Sequence, residues 1–227
     1  MSEIAAILGE EGDARHYGEI AREYVERWQE YGISRDGTHA KLAYTWYGSW
    51  TTLYNLYADS LLCFRVEGER EEHGRRKGAP ACPPSQKLLE GRRWNGHTSD
   101  KIFVPDRIYR MQSDWYHAVL QKYGLPLDSR HLYTKSDWQF FAAAVAGKRT
   151  RMEMITAVAR WVNETSTDRP LTDLYETEGD GGYPGIWFKA RPVVGGHFAL
   201  LALEKACGGK AMEALRFLDE TPARQCQ

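Results

Sequence analysis

The sequence lacks the marks of several protein classes. Its four cysteines, Cys63, Cys82, Cys207 and Cys226, are widely spaced and form no CxxC pair, which argues against a zinc site. One disulfide and buried free thiols both stay open on this spacing. No apolar run approaches the roughly 20 residues of a membrane-spanning helix, and no basic segment followed by an apolar core marks a signal peptide. The formal net charge of -1 gives no reason to expect nucleic acid or an anionic membrane as a partner.

Helical periodicity, by contrast, recurs along almost the whole chain. The first strong case is an apolar face at helical spacing, formed by Tyr17, Ile20, Ala21, Tyr24, Val25 and Trp28. Asp13 is the predicted N-cap of this helix and Gly32 its predicted end. Met1–Leu8 predicts a shorter helix before it, and Thr45–Phe64 predicts a second long helix.

Two capping-box sequences, Ser136–Gln139 and Thr150–Glu153, predict further helix starts. The remaining predicted helices cover residues 104–124, 137–146, 151–163, 194–206 and 210–218. Because strand signals are few and short, the sequence predicts an all-α array of helical hairpins. Residues 65–101 are rich in Glu, Arg, Gly and Pro and have no apolar period, which predicts a disordered or poorly packed excursion.

Two connections, Gly124–Asp137 and Glu164–Arg191, are too long and too polar to be simple turns. Carboxylates in such loops can act as general acid and base when their surroundings separate their pKa values. The catalytic candidates of this kind are Asp128, Asp137, Asp173 and Asp180. A structural role is equally open, since Asp137 could be a helix-start charge and Asp180 a turn residue.

The loops also hold residues suited to other roles. Thr134 and Lys135 suggest a hydroxyl nucleophile with a lysine base, although Thr134 could instead cap the helix that follows. Arg130 and Arg191 suit a bidentate grip on a substrate carboxylate, or could pair with acids to hold the loops together. His131 and Tyr133 complete the predicted substrate-binding set. The other histidines have no metal-ligand spacing, so we expect no metal and no cofactor.

Four segments carry a resemblance to a known family. Thr52–Asp59, Tyr123–Trp138, Trp161–Tyr175 and Ala190–Phe198 each resemble the matching stretch of fungal glutaminase A proteins. The resemblance covers most of the chain outside residues 65–101. It implies a six-hairpin (α/α) toroid, preceded in full-length members by a β-rich domain and a signal peptide. The implied activity is hydrolysis of L-glutamine to L-glutamate and ammonia outside the cell.

On this resemblance the chain is a single, partial toroid domain without the β-rich domain, holding three to four hairpins. The first hypothesis is a glutaminase-like amidohydrolase fragment with a small-molecule amino-acid substrate. The alternatives are a glycoside hydrolase of the six-hairpin class, with a sugar substrate, and a non-catalytic remnant. We expect association through the incomplete ring. The location is extracellular by family resemblance, or cytoplasmic if the chain is complete.

Overall fold

A computed structural model describes residues 1–66, 102–166, 170–185 and 188–220. Within these ranges the fold is built mainly from helices, which confirms the predicted all-α class. The helices are α1 (Ser2–Leu8), α2 (Glu11–Gly32), α3 (Leu56–Leu61), α4 (Asp106–Val119), α5 (Ser136–Ala144), α6 (Lys148–Glu164), α7 (Ala199–Lys205) and α8 (Lys210–Glu213). Two short strands, β1 (Tyr133–Lys135) and β2 (Leu174–Glu176), pair antiparallel. Three 3-10 segments cover Pro192–Phe198, Ala206–Gly209 and Arg216–Leu218. Residues 67–101 of the predicted excursion at 65–101 lie outside the described residues.

The prediction of one long helix over Thr45–Phe64 is wrong, because only Leu56–Leu61 is helical. The hydroxyl of Ser49 explains the difference. It accepts hydrogen bonds from the backbone N–H of Leu42 and Ala43 and donates one, 2.6 Å long, to the carbonyl of Trp46. A hydroxyl used in this way offers the backbone an alternative to helix. The chain then pairs with residues 126–129, for example through the Thr52 N–H and the Leu127 carbonyl at 2.8 Å.

The capping box predicted at Ser136–Gln139 is also wrong. Helix α5 starts at Ser136 with no side-chain cap. The Gln139 amide is fully engaged elsewhere, since its oxygen accepts from the Leu125 N–H at 2.8 Å and its nitrogen donates to the Tyr175 hydroxyl at 2.7 Å. The Gln139 side chain is therefore bound to residues distant in sequence and does not form the predicted local cap.

The same correction applies to two other helix starts. Helix α6 begins at Lys148, and the Thr150 hydroxyl of the second predicted capping box donates to the carbonyl of Ser113 at 3.1 Å. Helix α2 begins at Glu11, so Asp13 lies in its first turn and is not its N-cap. The predicted end of this helix at Gly32 is confirmed.

The apolar face predicted for α2 is only partly covered within the described residues. The helix buries Ala14, Gly18 and Gly32, whereas Tyr17 and Tyr24 are 36% and 65% exposed. Its principal neighbour is the short helix α1. Periodicity identified the helix correctly here, and its apolar face meets the core at its C-terminal end, where the partly buried Trp28 packs against the main hydrophobic cluster.

The core lies where α5 packs against α6, α7 and the Pro192–Phe198 segment. Ile108 and Leu203 are fully buried in its main cluster. A second contact stacks Trp161 of α6 on Tyr175 of β2, with ring centroids 3.7 Å apart. Helix α5 is thus fixed on several sides, and its N-terminus faces the β1–β2 pair.

A disulfide joins Cys63 to Cys207, with Cα atoms 5.7 Å apart. It decides the choice between a disulfide and free thiols for these two residues, whereas Cys82 and Cys226 lie outside the described residues. Both cysteines have left-handed backbone, with φ of 67° and 56°. The bridge links the turn after α3 to the turn after α7 across 144 residues of sequence.

Beside the disulfide lies a buried ionic cluster that the sequence did not reveal. Arg65, predicted to start the excursion, is 4% exposed. Its guanidinium donates to the Val104 carbonyl at 2.7 Å and binds the carboxylate of Asp106. Asp59 accepts a 2.6 Å hydrogen bond from the Tyr109 hydroxyl and lies 3.9 Å from the Arg65 guanidinium. Burial raises the pKa of Asp59 to about 6, although Tyr109 and Arg65 oppose the rise.

This raised pKa predicts a pH-dependent stability. Because the fold favours the neutral carboxyl, the stabilising contribution is complete below the ordinary pKa of 3.8 and is lost as pH rises through about 6. Relative to Asp59→Asn, the free energy of unfolding of the wild type should fall by about 3 kcal/mol between about pH 4 and pH 7. Urea unfolding at a series of pH values measures this difference. The control Asp114→Asn changes an exposed aspartate of α4 and should show the same pH dependence as the wild type. The prediction is refuted if the free energy of unfolding of Asp59→Asn changes with pH in parallel with that of the wild type.

Candidate active site

The β1–β2 pair brings the two polar loops together. Its register places Thr134 opposite Tyr175 and Lys135 opposite Leu174. The pairing continues one step further, where the N–H of Ser136 donates to the Asp173 carbonyl at 2.8 Å. Side chains at the end of the first loop therefore meet the start of β2.

Four charged side chains gather at this junction, and we call Lys135, Asp137, Asp173 and Arg191 the acid cluster. The Arg191 guanidinium grips Asp173 bidentately, with Nε 2.9 Å from Oδ1 and Nη2 on Oδ2. The Lys135 ammonium lies 3.6 Å from the same carboxylate. Asp173 is almost fully buried, and its ion pair with Lys135 joins the two loops.

Asp137 occupies a different position in the cluster. It is 5% exposed, and its Oδ1 is buried with no hydrogen-bond partner among the described residues. A buried carboxyl oxygen normally finds a partner, since leaving it unpaired costs about 1–3 kcal/mol. A catalytic role is one of the explanations for an unpaired buried oxygen of this kind.

The two acids have opposite electrostatic surroundings. Burial raises the pKa of Asp137; Lys135 lowers it and the neighbouring charge of Asp173 raises it, with a net rise. Burial also acts to raise the pKa of Asp173, but the hydrogen bonds and charge of Arg191, with Lys135, outweigh it and leave that pKa below its ordinary value. Because the two pKa values are shifted in opposite directions, Asp137 is the better suited of the two carboxyls to accept and return a proton.

Aromatic rings border the acid cluster. Trp138 stacks on Tyr54 with centroids 4.0 Å apart, and the Lys135 ammonium lies 4.8 Å from the Trp138 ring. The Arg191 guanidinium lies 3.9 Å from the Phe188 ring. Such cation–π contacts orient the two cations without neutralising them.

The other predicted site residues lie elsewhere. Asp128 and Arg130 form a bidentate pair within their own loop, at 2.9 Å and 2.8 Å, and the Arg130 N–H also donates to Asp128. His131 stacks on Tyr133 with centroids 4.7 Å apart. Asp180 is exposed and accepts from the Gly182 N–H at 3.0 Å, which is the turn role considered as its alternative. None of these five joins the acid cluster.

Thr134 and Lys135 are not brought together either. Successive side chains of a strand point to opposite faces, and Thr134 is fully buried on the face away from Lys135. Its hydroxyl has no hydrogen-bond partner among the described residues. The alternative role as a helix cap also fails, because Lys135 holds the N-cap position of α5. The geometry therefore gives no support to a threonine nucleophile with a lysine base.

Sequence reasoning missed three residues that line Asp137. The Ser136 hydroxyl and the Nε2 of His197 lie 2.9 Å apart. Gly196 packs so tightly that a Cβ built on it would lie 2.8 Å from the Asp137 Cβ. The pair Gly195-Gly196 before His197 was the available signal, since adjacent glycines often mark a close backbone approach.

This close approach predicts the effect of one methyl group. Gly196→Ala should cost about 1–3 kcal/mol of stability, because the new Cβ meets a helix residue that cannot move freely. Gly195→Ala is the matched control, since nothing lies within 4 Å of a Cβ at that neighbouring position. Thermal unfolding of the two variants measures the difference, and equal losses at both positions would contradict the packing described.

Comparison with known proteins now decides the family. The family model described as the glutaminase A six helical-hairpin domain matches residues 1–68 and 97–201. The chain belongs to this family. The match covers all four residues of the acid cluster. It leaves out residues 69–96, which fall within the predicted excursion, and residues 202–227.

Two relatives show how much of a longer protein the chain matches. The chain is 56% identical over 223 residues to a protein of Arthroderma benhamiae named "Probable glutaminase", covering 97% of this chain and 24% of that protein. It is 39% identical over 206 residues to the glutaminase A of Aspergillus oryzae, covering 89% of this chain and 24% of that protein. The chain thus spans about a quarter of the length of these relatives. No solved structure matches the chain.

Proposed function

We propose that the chain is a glutaminase-like hydrolase whose acid cluster cleaves the side-chain amide of L-glutamine. The names of the two relatives support this reaction class. The observation that carries the proposal is the buried, unpaired Oδ1 of Asp137 beside two cations that Asp173 holds in place. Of the four candidate aspartates, Asp137 and Asp173 keep a role in the proposed site, and Asp128 and Asp180 do not.

In the proposed reaction the Asp137 carboxylate acts first as a general base. It takes a proton from a water molecule, and the hydroxide adds to the carbonyl carbon of the substrate amide. The Lys135 ammonium stabilises the negative charge that develops on the carbonyl oxygen. The carbon–nitrogen bond then breaks, and Asp137 returns the proton to the leaving nitrogen, so that ammonia and L-glutamate are released.

Asp173 is the less suitable base of the two. Arg191 and Lys135 stabilise its charged form and lower its pKa, so it accepts a proton reluctantly. Its proposed role is to hold both cations toward the substrate. A bidentate grip engages two of the five N–H donors of a guanidinium, and the proposal assigns remaining donors of Arg191 to the α-carboxylate of the substrate.

A product-binding experiment tests this assignment without turnover. L-Glutamate should bind the wild type, and Arg191→Ala should weaken its binding by about tenfold or more, since a charge-assisted bidentate contact contributes about 1.5–3 kcal/mol. Arg27→Ala, which removes an exposed arginine of α2 paired with Glu23, should bind L-glutamate as the wild type does. Titration calorimetry measures both affinities. Binding of a monosaccharide in place of L-glutamate would sink the proposal and favour the glycoside hydrolase alternative.

We also propose that the protein matures in an oxidising, secretory compartment. The Cys63–Cys207 disulfide supports this location, because structural disulfides persist in such compartments and are rare in the cytosol. Within the described ranges no helix is long and apolar enough to cross a membrane.

A further inference from the structure

Ser136 is the meeting point of three segments around Asp137. Its backbone N–H donates to the Asp173 carbonyl just before β2, at 2.8 Å. Its hydroxyl contacts His197 Nε2, at 2.9 Å, in the Pro192–Phe198 segment. The residue itself is the first of α5 and is 1% exposed. Such burial favours a positioning role for its hydroxyl over attack on a substrate.

The Pro192–Phe198 segment closes over Asp137 at this point. Gly196 abuts the Cα and Cβ of Asp137. The His197 ring packs on Phe140 of α5 with centroids 4.7 Å apart. Among the described residues, the Ser136–His197 contact is the side-chain hydrogen bond that joins this segment to α5. Losing it would leave the close approach of Gly196 without a polar anchor.

His197 and Asp137 also act on each other through charge. Burial lowers the pKa of His197, and the Asp137 carboxylate raises it in part. The other charged groups that act on Asp137 are Lys135 and Asp173, with Arg191 responding to the Asp137 charge. A neutral His197 can accept a hydrogen bond from the Ser136 hydroxyl at Nε2, whereas a protonated His197 must donate its Nε2–H to that hydroxyl.

We propose that Ser136 and His197 are positioning residues, whose hydrogen bond holds the Pro192–Phe198 segment over Asp137 and keeps its carboxyl in the reactive place. This inference rests on the proposed role of Asp137 as the general base. It adds two residues to the site that act through Asp137 and do not touch the reacting atoms. A small displacement is enough to matter, since a misplacement of about 1 Å can cost about a hundredfold in rate.

Kinetics with three variants test the positioning role. Ser136→Ala and His197→Ala should each lower kcat for L-glutamine by about 10- to 100-fold, with KM changed by less than about threefold. His197→Gln keeps a hydrogen-bonding group within reach of Ser136 and should restore most of the lost kcat. Full activity of both alanine variants would overturn the inference, and so would a His197→Gln variant as slow as His197→Ala.

A titration that needs no substrate separates this inference from the proposed function. Nuclear magnetic resonance of the histidine ring protons, assigned by the signal missing in His197→Gln, follows the protonation of His197. Its pKa should lie below the ordinary value and fall further in Asp137→Asn, because the favourable carboxylate charge is gone. If the wild type does not hydrolyse L-glutamine but this response is seen, the proposed reaction fails and the proximity of His197 to Asp137 stands. A His197 titration that is unchanged in Asp137→Asn would refute the proximity of His197 to Asp137 on which the positioning role depends.

Discussion

The Asp137→Asn variant is expected to hydrolyse L-glutamine about 10²- to 10⁴-fold more slowly than the wild type, the usual contribution of a general base. The amide cannot take a proton from water, yet it has nearly the same shape and suits the buried position. KM should change by less than about threefold, because the proposed grip on the substrate belongs to Arg191. Initial rates of ammonia release over a range of substrate concentrations give both constants.

The pH profile adds a second signature to this variant. In the wild type, kcat should fall as pH drops through the pKa of Asp137, which burial places above the ordinary value for aspartate. The residual activity of Asp137→Asn should not show this fall. Asp114→Asn makes the same chemical change on the exposed face of α4 and should keep wild-type rates at every pH. Wild-type activity in Asp137→Asn would remove Asp137 from the mechanism.

Removal of the Cys63–Cys207 bridge is the second change with a large expected effect. Replacing both cysteines by serine should lower the free energy of unfolding by about 2–5 kcal/mol. The bridge closes 144 residues of sequence, so its loss restores considerable freedom to the unfolded chain. It also anchors Cys63 and Cys207 in a left-handed conformation that residues other than glycine adopt at a cost.

Urea unfolding of the wild type and the double serine variant measures this loss. A thiol reductant should lower the urea midpoint of the wild type toward that of the variant. The midpoint of the variant should not change through this bridge, because the variant lacks it. Equal midpoints for the oxidised wild type and the variant would contradict a stabilising bridge. The Asp59–Arg65 cluster lies beside the bridge, so the pH dependence attributed to Asp59 should weaken in the same variant.

The sequence was a good guide where one local pattern decided the structure. Periodicity predicted the helices now called α2, α4 and α6, with errors of a few residues at their ends. Composition alone marked both polar loops, and the resemblance placed them in one family. Loops that carry charge at this density in a helical protein are unusual enough to be recognised from their length and composition.

It was a poor guide where a distant partner decided the outcome. The Ser49 hydroxyl bonds to the backbone where the sequence predicts a helix, and the chain forms turns there. The Gln139 side chain bonds to Tyr175, 36 residues away, and does not cap α5. The sequence left four loop aspartates as candidates and could not choose among them, for the same reason. Asp128 and Asp173 each have an arginine partner, but only the strand pairing places Asp173 beside Asp137.

Ser136 and His197 show the limit most clearly. They are 61 residues apart, and each had an ordinary local interpretation, as a helix cap and as a lone histidine. Their contact depends on the packing of a 3-10 segment against α5, which no periodicity encodes. The adjacent pair Gly195-Gly196 carried the available hint, because glycines often stand where the backbone must come close to its neighbours.

The most direct test of the account is the product analysis of L-glutamine incubated with the purified 227-residue protein. Ammonia and L-glutamate are expected in equal amounts from the wild type and from Asp114→Asn, and both products should be nearly absent with Asp137→Asn. Wild-type protein that is folded and disulfide-bonded but releases no ammonia from L-glutamine would contradict the central claim that the acid cluster is an amide-hydrolysing site.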